Sequence, residues 1–195
     1  MNQQICLATN NKGKLREYRE ILAPMGFVIY SPKDLNIDLD VEENGKDYRE
    51  NSYLKALAFS KLVPFPVLAD DSGLEILALD NFPGLHSSRF ADSCGGYPQA
   101  YEEIFSRLKG KDRSARFRCC ICFLENTTAK PLYFEGLCPG YILEKPSGDH
   151  GFGYDPIFHS EEADIDFGLA DEETKNKYSH RFKAIQKLKL YFAIG

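Results

Sequence analysis

Short apolar runs alternate with amphipathic segments along the first half of the chain. Ile5 to Ala8 and Phe27 to Tyr30 each predict a strand, and apolar residues at helical spacing predict a helix after each of them. The second of these helices is expected from about Lys46 to Leu62. The apolar run from Val67 to Ala69 then predicts a buried strand. This order of elements is typical of an α/β fold.

The second half of the chain adds paired strands. Pro98 begins a predicted helix that ends near Lys109. Arg116 to Leu124 and Leu132 to Leu137 predict two consecutive strands that pair as a hairpin, and Ser179 can cap a final helix. The whole pattern predicts a mixed sheet flanked by helices, in a single domain that covers residues 1–195.

Two adjacent carboxylates, Asp70 and Asp71, follow the buried strand that begins at Val67. The tetrapeptide 70–73 has the residue types that a type I turn prefers, so a turn is expected here. Paired acids at the end of a strand can hold a hard cation or take a proton from water. An ordinary turn is the plainer interpretation, and these residues alone leave both alternatives open.

A polar loop, Thr9 to Lys14, joins the first strand to the first helix. Lys12 and Lys14 lie at the helix N-terminus, where the helix dipole disfavours a positive charge by ~0.3–1 kcal/mol each. A bound phosphate would reverse that preference, because the free backbone N–H groups and the ammonium groups all attract an anion. The alternative is an asparagine cap followed by solvated lysines.

Cations also gather near the start of the final helix, at Lys175, His180 and Arg181. Two helix starts with the same unfavourable charge indicate one shared anionic ligand. The segment 148–156 lies upstream and combines glycines with aromatic residues. Glycine lets the backbone approach a flat ligand on which aromatic rings stack, although such a segment is weak evidence when taken alone.

A second acidic pair, Glu42 and Glu43, precedes the second helix. Acid near a helix start is ordinary dipole chemistry, so the pair contributes to a metal site only if it meets Asp71. Such a site would suit Mg²⁺, which takes one or two carboxylates together with water and substrate phosphates. Lys55, farther along the helix, either reaches phosphate or remains solvated.

Charge and cysteine content exclude several classes of protein. The net charge of −5 argues against binding along a nucleic-acid polymer, which needs a broad basic face. The apolar runs are shorter than a membrane span and the chain opens without a basic leader, so we expect no membrane partner and a cytoplasmic location. The six cysteines do not suit a disulfide framework in a chain of this length and compartment, and Cys119, Cys120 and Cys122, in one predicted strand, are expected to be reduced and buried.

Several motifs follow one another along nearly the whole chain. They are Thr9 to Lys14, Glu50-Asn51, Ala69 to Leu74, Phe82-Pro83-Gly84, Ser88-Arg89-Phe90, Gly151 to Pro156 and Ser179-His180-Arg181. Together they resemble the inosine triphosphate pyrophosphatase family, the non-canonical purine nucleoside triphosphate pyrophosphatases. The resemblance implies an elongated, two-lobed mixed α/β fold with the substrate in a cleft between the lobes, and a homodimer. It also implies Mg²⁺-dependent hydrolysis of ITP, dITP and XTP to the nucleoside monophosphate and pyrophosphate.

The resemblance further implies roles for individual residues. Asp71 matches the catalytic base and, with Glu43, the metal ligands, while Ser72 matches a substrate contact. Phosphate contacts are implied for Thr9, Asn10, Asn11, Lys12, Gly13 and Lys14, and base contacts for Phe152, Gly153, Tyr154, Asp155, Lys175, His180 and Arg181. Lys55 is expected to join Lys14 in neutralising oxyanion charge. Lys177 is an alternative to Lys175, which is favoured by its distance along the chain from His180.

Two alternative functions remain open from the sequence. A Maf-like nucleotide pyrophosphatase would share the fold and the reaction but prefer other bases, and its first loop would be rich in Ser and Arg. A nucleotide-binding regulator without catalysis would be expected to lack a carboxylate or the loop lysine, and this chain retains both.

Overall fold

The computed structural model describes residues 3–194. Met1, Asn2 and Gly195 lie outside the described residues, and the expectation that the chain opens without a basic leader falls partly on them. The strands are β1 (Gln3–Leu7), β2 (Phe27–Tyr30), β3 (Val67–Ile76), β4 (Phe82–Pro83), β5 (Ser114–Leu124), β6 (Leu132–Ile142), β7 (Phe158–Ser160) and β8 (Ile165–Asp166). The helices are α1 (Lys12–Leu22), α2 (Tyr48–Ser60), α3 (Ser87–Cys94), α4 (Tyr97–Arg107), α5 (Glu172–Tyr178) and α6 (His180–Ile194).

Within residues 3–194, the eight strands form one sheet with the order β2-β1-β3-β5-β6-β7-β8, and β4 pairs with β3. β1 runs parallel to both β2 and β3, whereas β4 is antiparallel to β3 and β7 is antiparallel to both β6 and β8. The predicted mixed sheet flanked by helices is therefore confirmed. β5 and β6 are neighbours in the sheet, as the predicted hairpin requires.

Four helices begin at a side chain that accepts a hydrogen bond from the backbone N–H three residues later. These N-cap residues are Asn11 for α1, Asp47 for α2, Asp171 for α5 and Ser179 for α6. Each cap satisfies a backbone donor that has no partner inside the helix. The caps fix where the neighbouring lysines and acids lie, and the predicted Ser179 cap is confirmed.

The turn expected at residues 70–73 is wrong. β3 continues through these residues without a break from Val67 to Ile76, and nearly all of its side chains are buried. Local turn preference is overridden here because both carboxylates find partners on other elements, which makes the extended, buried conformation favourable. Asp70 and Asp71 therefore lie in the middle of a strand and not at its end.

One predicted helix begins later in the structure, and two helices of the structure were not predicted. α2 begins at Tyr48, two residues later than predicted, because Asp47 caps it. α3 and α5 were not expected from the sequence. α5 has the sequence EETKNKY, which carries almost no apolar residues at helical spacing.

The chain divides into two compact units. The first comprises Met1–Asp71, Cys119–Glu135 and Ala184–Gly195. Adjacent residues of its strands pack into two different apolar clusters: Leu7, Leu68 and Ile121 lie in one, and Cys6, Val67 and Cys122 lie in the other. The strands of this unit are consequently covered on both faces, by residues of α1 and α6 on one face and residues of α2 on the other.

The second unit comprises Ser72–Arg118 and Gly136–Lys183. Its core contains Leu74 and Ile76 of β3, Ile104 of α4, Phe117 of β5 and Phe158 of β7. All six cysteines of the chain are free thiols, and every one except the half-buried Cys94 is buried, which confirms the prediction for Cys119, Cys120 and Cys122. In the part of the chain that is described, none of the helices has the length and apolar character needed to cross a membrane.

Candidate functional site

Asp71 is a buried carboxylate held by an asparagine on α2. The side-chain amide nitrogen of Asn51 lies 3.0 Å from Oδ2 of Asp71, and the backbone N–H of Gly45 donates to Oδ1 of Asn51 at 2.8 Å. A Cβ on Gly45 would come within 2.7 Å of that oxygen, so glycine permits the close approach. These contacts fix the amide of Asn51 with its nitrogen toward Asp71.

Glu43 and Lys55 lie beside this carboxylate. Nζ of Lys55 is 2.6 Å from Oε1 of Glu43. Burial lowers the pKa of Lys55, but the negative charges of Asp71 and Glu43 outweigh this effect, so the net shift is upward and the ammonium form is favoured. For Asp71, burial raises the pKa and prevails over the opposing charges of Lys55 and Lys14. A raised pKa is the direction that strengthens a carboxylate as a general base.

The side chains around Asp71 supply only some of the ligands that a hard cation needs. Glu43 and Asp71 offer carboxylate oxygens, the ligands that such cations prefer. Among residues 3–194, no group of three or more His, Cys, Asp or Glu side chains is arranged to hold a metal ion. The two carboxylates therefore fit a cation that takes its other ligands from water and from a phosphate-bearing substrate.

Asp70 faces the other side of β3. Its Oδ1 lies 2.9 Å from Nζ of Lys14 on α1, and its Oδ2 lies 3.7 Å from Sγ of Cys119. Successive side chains of a strand point to opposite faces, so Asp70 faces α1 while Asp71 faces α2. The two carboxylates consequently have separate hydrogen-bond partners.

The predicted phosphate loop forms a short polar connection between β1 and α1. Its hydroxyl and amide groups order the backbone: the N–H of Asn11 donates to Oγ1 of Thr9, and the N–H of Lys14 donates to Oδ1 of Asn11. Asn10 and Lys12 are exposed, while Gly13 is half-buried. Of the two lysines, Lys14 points toward the acidic residues of β3.

The second unit contains another buried ion pair. Nζ of Lys175 lies 2.6 Å from Oδ2 of Asp155, and both residues are at most 5% exposed. The same oxygen accepts the backbone N–H of Phe152 at 2.8 Å, and a Cβ on Gly151 would overlap this carboxylate. The ammonium of Lys175 also lies 4.3 Å from the centre of the Phe152 ring. A half-buried aromatic ring therefore lies directly against a fixed cation.

Arg181 belongs to the same group of side chains. It is 2% exposed, its Nη2 donates to Oγ of Ser72 at 3.0 Å, and its guanidinium carbon lies 5.8 Å from the centre of the Phe152 ring. His180 is also buried and stacks on Phe117, with ring centres 4.9 Å apart. Ser72, Phe152, Lys175 and Arg181 are thus brought together.

Other predicted residues of the base pocket have internal roles. Tyr154 lies in the core, and its hydroxyl donates to the carbonyl of Ser87 at 2.7 Å. The carbonyl of Gly153 accepts from the hydroxyl of Tyr101. Lys177 is exposed and pairs with Glu173, so Lys175 is the lysine that lies at Phe152.

Lys175 does not lie at a helix start, so the expectation of an unfavourable positive charge there is wrong for this residue. This residue lies in the last turn of α5, where a positive charge is favourable, and not at the start of α6. Lys14 does lie at the start of α1, but Asp70 neutralises it. Carboxylates of the protein therefore balance both lysines in this structure.

Sequence reasoning missed three residues of these clusters. Asn51 was part of a quoted motif but received no role, Asp70 was one of the paired acids but was given no partner, and Cys119 was read as an ordinary core thiol. Successive side chains of a strand point to opposite faces, so an extended β3 requires a separate set of partners for each carboxylate, but the expected turn concealed this requirement.

Comparison with known proteins assigns the chain to a family. The model of the Ham1 family matches residues 5–191. The chain belongs to the Ham1 family. A dITP/XTP pyrophosphatase from Dictyoglomus thermophilum is 43% identical over 191 residues, which cover 96% of this chain and 93% of the relative. A dITP/XTP pyrophosphatase from Bacillus subtilis is 39% identical over 190 residues and 95% of each chain.

Solved structures of Ham1 proteins have the same fold. A Ham1 protein from Coxiella burnetii matches with a TM-score of 0.88 and 34% identity, over 99% of this chain and 100% of that one. The Ham1 protein of Staphylococcus aureus matches with a TM-score of 0.86 and 34% identity, over 98% of both chains. The resemblance stated from the sequence motifs is therefore confirmed.

Proposed function

We propose that this Ham1-family protein hydrolyses non-canonical purine nucleoside triphosphates, ITP, dITP and XTP, to the nucleoside monophosphate and pyrophosphate. The observation that carries the proposal is the buried Asp71, oriented by Asn51 and flanked by Glu43 and Lys55. A base, acidic metal ligands and cations in one cluster meet the needs of phosphoryl chemistry, in which positioning and charge neutralisation supply most of the catalysis. Two relatives near 40% identity carry the name dITP/XTP pyrophosphatase.

The phosphate-binding residues in this proposal belong to the first unit. Thr9 to Lys14 bind the phosphates through backbone N–H groups and the ammonium of Lys14, and Lys55 neutralises further oxyanion charge. Glu43 and Asp71 would hold Mg²⁺, which would neutralise phosphate charge and polarise the phosphoryl group. Asp71 orients a water molecule and takes its proton.

The base-recognition residues belong to the second unit. Phe152 stacks on the base, while Arg181 donates to its 6-oxo group and Lys175 holds Asp155 in place. Adenine carries an amino donor where hypoxanthine and xanthine carry this oxygen. Two donors would then face each other in a buried site, which disfavours ATP.

The setting of the reaction is also a proposal. All six cysteines are free thiols, which favours a reducing compartment, and we place the protein in the cytoplasm. We further propose that the chain works as one domain and as a homodimer, without a membrane or nucleic-acid partner. Sedimentation velocity at micromolar concentration tests the dimer, and a single species with the mass of one chain would contradict it.

A substrate profile tests the proposed activity. Purified protein is incubated with ITP, dITP, XTP, ATP or GTP, with Mg²⁺ or with EDTA, and pyrophosphate and orthophosphate are measured separately. We expect pyrophosphate from the first three nucleotides in Mg²⁺, with kcat/KM for ITP at least ~10-fold above that for ATP. Orthophosphate as the product, or equal rates with ATP, would contradict the proposal. Tight ITP binding without hydrolysis would favour the regulator instead.

A further inference from the structure

Asp70 uses its two carboxylate oxygens for different partners. Oδ1 accepts a hydrogen bond from the ammonium group of Lys14 at 2.9 Å, while Oδ2 lies 3.7 Å from Sγ of Cys119. Asp70 is 1% exposed and Cys119 is fully buried. Asp70 on β3 therefore contacts both Cys119, in the middle of β5, and Lys14, in the first turn of α1.

Such a buried carboxylate is costly unless each oxygen has a partner. The ion pair with Lys14 compensates Oδ1, and the thiol of Cys119 lies where it can donate to Oδ2. A thiol is a weak hydrogen-bond donor, but its contact with an ionised carboxylate strengthens the bond. Ile121 and Phe123, the next two residues on the same face of β5, are apolar and pack in the same cluster as Cys119. On this face of β5, Cys119 therefore places a hydrogen-bond donor at the position that contacts Asp70.

We propose that Cys119 is a positioning residue for the phosphate-binding lysine. Its thiol donates to Oδ2 of Asp70 and fixes the rotation of the carboxylate, so that Oδ1 holds the ammonium of Lys14 beside the loop that begins at Thr9. This inference rests on the proposed function, in which Lys14 binds the substrate's phosphates.

Lysine needs such a partner because its charge lies at the end of a flexible four-carbon chain. Without a fixed partner, the ammonium group must be ordered when the nucleotide binds, which weakens binding. Backbone contacts cannot supply this order, since Asn11 fixes only the main chain of Lys14. The side chain of Lys14 is instead ordered by Asp70 on β3. The carboxylate of Asp70 is in turn ordered by Cys119 on β5.

Three substitutions separate this role from simple packing. C119A removes the donor, C119S replaces it with a stronger donor, and C122A removes a sulfur that is equally buried on the same strand but packs in the other cluster. We expect C119A to raise the KM for ITP about five-fold, the effect of one hydrogen bond, with kcat within about two-fold of wild type. C119S and C122A are expected to keep the wild-type KM.

Melting temperatures of the variants provide the control for packing. Similar losses of melting temperature in C119A and C122A, with a raised KM only in C119A, support the positioning role. An unchanged KM in C119A, a KM raised equally in C122A, or a failure of C119S to restore the KM would overturn it.

A double-mutant cycle shows whether C119A raises the KM through Lys14. If Cys119 acts through Lys14, C119A is expected to change the KM of the K14A protein less than about 1.5-fold, because contacting residues are not additive. A five-fold rise in the KM when C119A is added to K14A would show that Cys119 does not act through Lys14.

A failure of this inference can also be distinguished from a failure of the proposed function. If wild-type protein hydrolyses none of the nucleotides, the proposed activity fails, and the same variants are compared for binding of inorganic triphosphate by calorimetry. Binding about five-fold weaker in C119A than in wild type, C119S and C122A supports the inference. Equal binding in all four proteins overturns it.

Discussion

The side-chain nitrogen of Asn51 donates a hydrogen bond to Oδ2 of Asp71 at 3.0 Å. The oxygen of the same amide accepts a hydrogen bond from the backbone N–H of Gly45 at 2.8 Å. Asn51 is 1% exposed, so both contacts are shielded from water. We expect Asn51→Ala to lower kcat about 10- to 100-fold, because the base is no longer held in one orientation. Steady-state kinetics with ITP measure the effect. Asn126→Ala, on an exposed loop, serves as the control, and an unchanged kcat in Asn51→Ala would contradict the role.

Asp71 itself is expected to be indispensable for turnover. Asp71→Asn keeps the size of the side chain but removes the proton acceptor and a carboxylate ligand, so kcat should fall by at least ~10³-fold. Binding of ITP, measured by calorimetry without turnover, should change far less. Asp38→Asn, at an exposed position, is the control, and near-normal turnover by Asp71→Asn would rule out this residue as the base.

Arg181 is expected to determine the choice of base. In Arg181→Ala the donor to the 6-oxo group is lost, and the ratio of kcat/KM for ITP to that for ATP should fall about 10-fold or more. Because Arg181 is almost fully buried, its removal also lowers stability. The ratio corrects for this loss, since both substrates are measured on the same preparation. An unchanged ratio would remove Arg181 from base recognition.

The sequence predicted the scaffold more completely than the site. Asn11 and Ser179 cap helices where local preference indicated, because a cap depends only on residues within one turn. The conformation of Asp70 depends instead on Lys14, which lies 56 residues away in the chain. A local pattern does not contain such a partner, so residues 70–73 were given the turn that their composition favours.

The second unit illustrates the same limit. Lys175 contacts Asp155 across 20 residues, from a seven-residue helix that has no apolar periodicity. The family resemblance supplied Lys175 as a base-pocket residue, but periodicity gave no reason to place it on a helix of its own. Chemistry that relies on contacts between distant segments is visible only once the fold is known.

Asp34 provides a test of acid stability away from the site. The backbone N–H and the hydroxyl of Ser31, followed by the charge of Arg19, hold the pKa of Asp34 below its usual value. The lowered pKa stabilises the fold above the pKa of the unfolded chain, and this contribution is lost as the pH falls through the native-state pKa. Asp34→Asn should therefore lower the melting temperature at pH 7.

The pH dependence of that difference is the decisive measurement. Melting temperatures of wild type and Asp34→Asn are compared from pH 7 down to about pH 3, and the gap should narrow toward the acid end. Asp38→Asn, at an exposed position, is the matched control. A gap that stays constant with pH would mean that the charge of Asp34 is not what stabilises the fold.

Thiol reactivity is expected to divide the cysteines into two groups. Burial raises the pKa of Cys6 and of Cys122 to about 12, so neither forms a thiolate at neutral pH. Ellman's reagent should therefore modify Cys94 in the native protein and all six thiols in guanidinium chloride. Native Cys94→Ser should give no rapid reaction. Rapid modification of several thiols in that variant would show that the strands open readily.

The unbroken path of β3 also limits how this protein can change in length. Asp70 and Asp71 reach different helices only because they are consecutive residues of a pleated strand. One residue inserted or deleted between Val67 and Asp70 would exchange the two carboxylates between faces and separate each from its partners. The length of this segment of β3 is therefore fixed by two sets of partners, one on each face of the strand.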